Sequence, residues 1–132
     1  MRLTLIWDKP IRLRASKDSN AIYTLSLEKI ANVAGIYVFA RRHGKSYEAL
    51  YVGQSTKLRN RIKVHLNNLK LMKYLENAKA GQRLVFIGQL TYKKKRVDAA
   101  LKTLERAFIR NFLAEGHDIA NQQGVKIRRH EI

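Results

Sequence analysis

The chain has 132 residues, 45% of them hydrophobic, and 27 Lys and Arg against 10 Asp and Glu give it a net charge of +17. That length fits one domain, 1–132, with its own core, and one proline and seven glycines argue against a long disordered tract. No apolar run approaches the roughly 20 residues of a membrane span, and the absence of cysteine excludes disulfides and thiolate metal sites.

In chain order, MRLTLIWDKP reaches Asp8 and Pro10 too soon for a secretory signal. Leu3 to Trp7 and Ile11 to Leu13 read as short strands around a DKP turn, and ASKDSNA reads as a polar loop. LSLEKIANVAG predicts a short helix capped by Ser26 and ended by Gly35. GIYVFAR and EALYVG alternate and are rich in β-branched and aromatic residues, with RHGKS as the turn of a hairpin.

After Gly53, Leu58, Ile62, Leu66 and Leu69 stand at helical spacing, with Ser55 or Thr56 as cap. KLMKYLENAKAG predicts a second helix closed by Gly81. RLVFIGQL reads as a buried strand and TYKKKR as a basic loop. The longest helical pattern runs from Val97 to Leu113, with Val97, Leu101, Leu104, Phe108 and Phe112 on one face and EGHD as its stop. The order implies an α+β fold, a small antiparallel sheet flanked by helices, with a β-rich N-terminal extension over 1–34.

A charge of +17 exceeds what solubility requires and would attract polyanions, nucleic acid first among them. A generally basic surface or an anionic membrane is the plainer explanation, yet no lipidation signal or isolated basic amphipathic helix is present. An intracellular protein, cytoplasmic or nucleoid-associated, agrees with this composition.

Lys57, Arg61 and His65 are spaced four apart and share a helix face that could meet a phosphate, although such triplets commonly form a solvated basic face. Glu105 is more unusual: at about 100° per residue it falls between Ile109 and Phe112, inside the apolar sector. A carboxylate there needs a cation, a metal or strong donors, and a salt bridge to a nearby Lys or Arg is the ordinary solution. Tyr37 and Tyr51 lie on neighbouring strands, where aromatics are generally core, but their hydroxyls could meet beside the cationic helix. Asn121 stands in a loop context that favours local turn contacts. Lys93, Lys94, Lys95 and Arg96 form a phosphate-contacting or merely solvated loop, and the remaining histidines make no zinc spacing.

Together these residues resemble the GIY-YIG nuclease family. GIY stands at Gly35 to Tyr37, and YVG at Tyr51 to Gly53 is the second signature with valine for isoleucine. Arg61, His65, Glu105 and Asn121 then follow in the family's order, over a core region of 35–121. The resemblance implies a DNA endonuclease that hydrolyses phosphodiesters with one divalent cation, Mg²⁺ or Mn²⁺, held by Glu105. It also implies Arg61 as a phosphate clamp and Tyr37, helped by Tyr51 and His65, as proton acceptor, with His65 the other candidate base. Lys57, Arg61, the 93–96 loop and Asn121 would contact or position DNA.

No separate DNA-binding segment accompanies the motif, so specificity would come from the compact body, a partner protein or self-association. Residues 1–34 could add an edge strand, cover the site or mediate dimerisation. The alternative is a non-catalytic nucleic-acid-binding module that keeps the fold, including one that serves RNA.

Overall fold

The computed structural model describes residues 4–17, 21–91, 97–117 and 119–121. Seven strands and three helices occur among them: β1 (Thr4–Trp7), β2 (Ile11–Arg12), β3 (Arg14–Ala15), β4 (Tyr23–Thr24), β5 (Gly35–His43), β6 (Ser46–Ser55), α1 (Leu58–Leu66), α2 (Leu69–Glu76), β7 (Gln82–Thr91) and α3 (Val97–Ala114). The α+β class and the antiparallel sheet agree with the sequence reading. The basic loop Lys93–Arg96 lies outside the described residues, as does Leu3.

The main sheet runs β1-β7-β5-β6, with β2 also paired to β7, and every pairing is antiparallel. The N-terminal extension therefore supplies strands to the edge of β7. On either side of the stretch read as a polar loop, Arg14–Ala15 and Tyr23–Thr24 close a small second sheet. β5 and β6 are joined by a two-residue turn after His43, in which Gly44 takes the left-handed φ of 64° that such turns favour.

The two faces of the sheet carry separate clusters. Tyr37, Phe39, Leu50, Val85 and Ile87 pack on one face with Leu58 and Ile62 of α1 and with Leu71, Met72 and Leu75 of α2. Ile36, Val38, Ala49 and Val52 pack on the other with Leu101 of α3, joined by Leu104, Phe108 and Phe112 as the helical stripe predicts. Strict alternation would put Leu50 and Tyr51 on opposite faces. The register instead slips between Phe39↔Tyr51 and Ala40↔Ala49, and this bulge lets both join the Tyr37 face.

Three local expectations are corrected. Ser26 heads only a three-residue 3₁₀ turn, Leu27–Lys29, and makes no cap bond; its hydroxyl accepts from Arg14 Nη2 at 3.3 Å. Neither Ser55 nor Thr56 caps α1; the Asn60 N–H donates to Asn32 Oδ1 at 3.1 Å and the Leu58 N–H to the Val33 carbonyl at 2.9 Å, so a segment distant in sequence satisfies that end.

The third correction is at α2, which starts from an Asn68 cap and stops at Glu76, well before Gly81. Its stop has a clear cause. The buried guanidinium of Arg83 donates to the carbonyls of Leu75, Glu76, Ala78 and Gly81 at 2.7, 3.2, 2.8 and 2.7 Å, taking up acceptors that a helix end leaves open. Among the described residues no helix is long and apolar enough to cross a membrane.

Candidate active site

Tyr37 is the third residue of β5, opposite Gly53 of β6, and is only 1% exposed. Its ring covers Gly53, where an added Cβ would overlap Cζ and Oη of the phenol. Gly35 is constrained in the same way, because a Cβ there would run into the Gly88 carbonyl and Leu58. The glycines of both three-residue signatures are thus steric requirements of the strand packing and of the tyrosine ring.

The bulge at Leu50 brings Tyr51 alongside, nearly parallel to Tyr37 with ring centroids 6.3 Å apart. His65, on the inner side of α1, closes the group. Tyr37 Oη and His65 Nε2 are 2.5 Å apart, and the imidazole meets Tyr51 edge-on at 5.4 Å. The structure divides the basic triplet of α1: Lys57 and Arg61 are exposed, whereas His65 is buried. Its Nδ1 is buried and has no hydrogen-bond partner among the described residues.

Charge ties this group to α3, which packs along β6. Burial pushes Tyr37 well above the ordinary phenol value; Tyr51 adds to the rise and Arg61, by hydrogen bonding and charge, works against it. Burial and the Glu105 carboxylate also raise Tyr51, again opposed by Arg61. Burial and the positive charge of Arg61 push His65 down to about 4, so its imidazole is neutral at pH 7. Glu105 is half-buried and its value is raised by that burial, with Arg61 and Arg106 pulling the other way. Tyr37, Tyr51, Arg61, His65 and Glu105 therefore form one electrostatic group although they come from four elements. The salt bridge expected for Glu105 is not formed among the described residues.

Asn121 and His117 were not linked to this group by spacing, and their contacts are with backbone. Asn121 accepts from the Val52 N–H through Oδ1 and donates to the Val52 carbonyl through Nδ2, both at 2.8 Å. His117 Nδ1 accepts from the Ala49 N–H at 2.7 Å. β6 is the outer strand of the sheet, and these two side chains fill its open edge. The Asn121 amide is thereby committed to β6. Nothing in the sequence exposes a pairing between residues so far apart, and only the order of elements hints at it.

Among the described residues no cluster of three or more His, Asp or Glu could hold a metal ion. A single half-buried carboxylate, Glu105, lies within electrostatic reach of the tyrosines and Arg61. That donor set does not suit zinc, but it fits a hard, largely hydrated ion that uses one carboxylate and takes its other oxygens from water and a phosphate.

The model of the GIY-YIG catalytic domain matches residues 33–118. The chain belongs to the GIY-YIG family, a family of nuclease domains. The match begins after β4, so the four N-terminal strands lie outside it. Comparisons with curated proteins and with solved structures gave no match.

Proposed function

We propose that the chain is a metal-dependent DNA endonuclease that hydrolyses phosphodiester bonds at the Tyr37 site. The observation that carries this reading is the buried Tyr37–His65 pair with the Arg61 cation and the Glu105 carboxylate in electrostatic reach. A module that only bound nucleic acid would gain nothing from a half-buried carboxylate, which repels phosphate and is costly to desolvate.

Hydrolysis requires a nucleophilic water, neutralisation of the phosphoryl oxygens and a stabilised leaving alkoxide. Arg61 is exposed at the mouth of the site, and its planar donors clamp a non-bridging oxygen. Lys57, one turn earlier, adds a second phosphate contact. Tyr37 takes the water proton as its phenolate, after the phenol has released its own proton to solvent. His65 is the poorer base, because Nε2 is engaged with Tyr37, Nδ1 is buried, and a value near 4 leaves it little affinity for a proton. Its work is to fix the phenol. Asn121 holds β6, and with it Tyr51 and Gly53, in register.

A Mg²⁺-like ion held by Glu105 would neutralise phosphoryl charge and reverse the negative field that now raises both tyrosines. The test is supercoiled plasmid incubated with Mg²⁺ or Mn²⁺ at low salt. Nicking or linearisation that EDTA and Glu105→Ala both abolish supports the reading. Plasmid that is bound and left intact, with branched and single-stranded DNA also uncut, overturns it.

A further inference from the structure

Two cavities lie away from the Tyr37 site and share a wall. One, of about 440 Å³, is lined by Trp7, Tyr47, Phe86, Phe108, Phe112 and His117 over small side chains of β5 and β6. The other, of about 570 Å³, is lined by Lys9, Arg12, Arg14 and Lys29 with the hydroxyl of Ser26. Asp8 and Pro10 border both, so the aromatic and basic cavities adjoin between β1 and β2.

The basic cavity is not neutralised. None of its four cations enters an ion pair among the described residues. Its one carboxylate, Asp8, accepts from Gln89 Nε2 at 2.9 Å. Arg12 and Arg14 flank the buried Leu13 and are both exposed, as alternation along an extended segment requires.

The aromatic cavity offers open ring surface. Trp7 rests against Gly88 and meets Phe108 edge-on at 5.8 Å, yet remains 44% exposed. Tyr47 is 46% exposed, packs edge-on to Phe86 at 5.3 Å and carries the Arg42 guanidinium over its ring at 5.9 Å. Exposed aromatic planes beside a cationic groove are the two parts that single-strand recognition combines, stacking for the bases and charge for the phosphates.

We infer that the adjoining cavities form a second nucleic-acid site, which holds an unpaired stretch of a DNA strand with bases in the aromatic cavity and phosphates in the basic one. The inference rests on the nuclease reading and names its substrate class, DNA that carries an unpaired segment. A base reaches an aromatic cavity only when it is out of the stack. Val38, Ala40 and Ala49 line this cavity, on the opposite face of the β5–β6 hairpin from Tyr37 and Phe39. A duplex, with a persistence length of about 50 nm, does not bend from one face of a small sheet to the other, whereas an unpaired strand does. α3 joins the two sites, since Phe108 follows Glu105 by one turn. The net charge of +17 supplies the complementary field.

Trp7 is the only tryptophan, so its fluorescence reports this cavity alone. The experiment titrates the full chain in EDTA, where no cleavage intervenes, with single-stranded oligo-dT of about 15 nucleotides or a blunt duplex of equal length. The single strand is expected to quench Trp7 and to bind at least about tenfold tighter than the duplex. The double variant Arg12→Ala/Lys29→Ala removes two exposed side chains and should fold normally, as circular dichroism will show. It should bind the single strand at least about tenfold more weakly, with a salt slope shallower by about 1.4.

No quenching at saturation by labelled-oligonucleotide anisotropy, or unchanged affinity in the double variant, overturns the inference, as does poly-glutamate that displaces the strand and quenches Trp7 equally. Plasmid cleavage in Mg²⁺ without quenching sinks this inference and spares the nuclease reading. Quenching with plasmid, branched and single-stranded DNA all left uncut sinks the nuclease reading and leaves the single-strand site standing.

Discussion

The phenol of Tyr37 lies directly over Gly53, so the first signature of the chain fixes the last residue of the second. The two tripeptides are halves of one packing unit. Gly53→Ala places a methyl where the ring now sits, and Tyr37, almost fully buried, can yield only by leaving His65. The variant is expected to lose about 1–3 kcal/mol of stability in urea unfolding, as overpacked cores do, and most of its cleavage activity. Wild-type stability with wild-type activity would show that the ring has room to shift.

The pH dependence of cleavage identifies the base. Tyr37 is held well above its ordinary value, so its ionised fraction, and with it the rate, should rise about tenfold per pH unit between roughly pH 6 and 9. His65, pushed down to about 4, would give a rate that is flat above about pH 5. Single-turnover rates at saturating enzyme separate the two.

Stability should fall in mild acid for the same structural reason. His65 has a folded value near 4 against an ordinary value of 6.5, so between these the unfolded chain takes up a proton that the folded one refuses. Its contribution is complete above pH 6.5 and lost as pH falls toward 4, with a slope of at most about 1.4 kcal/mol per pH unit. Glu105, raised by burial, acts in the opposite sense above its ordinary value. The measurement is therefore a difference: urea midpoints against pH for wild type and His65→Gln, with the slope in this window reduced in the variant.

Arg83 is expected to matter to the fold and not to the chemistry. Truncation in Arg83→Met strips four carbonyls of their donor and should cost about 3 kcal/mol. Arg83→Lys should recover only part of this, because an ammonium cannot reproduce the planar fork. A loss below about 1 kcal/mol in urea unfolding would mean that water replaces the guanidinium freely.

What was legible in the sequence was what is periodic or local. The stripe from Val97 to Phe112 declared α3 and the awkward place of Glu105, and the alternating residues around GKS declared the hairpin. What was not legible depends on partners remote along the chain. α1 is capped by Asn32 rather than by Ser55 or Thr56, and α2 ends where Arg83, in a later strand, gathers its carbonyls. The bulge at Leu50 puts Tyr51 beside Tyr37, and period-two reading cannot foresee a skipped residue. His117 lacked any metal spacing; its role is to accept from an edge strand sixty-eight residues earlier.

Tyr37→Phe tests the central claim most directly. It removes one oxygen from a buried ring and leaves Arg61, Lys57 and Glu105 in place. Single-turnover cleavage in Mg²⁺ and DNA affinity in EDTA should be measured on the same preparation. The account predicts a rate lower by about 10² to 10⁴-fold with affinity changed less than about twofold. A cleavage rate within about threefold of wild type would contradict it, and would place the proton acceptor elsewhere in the site.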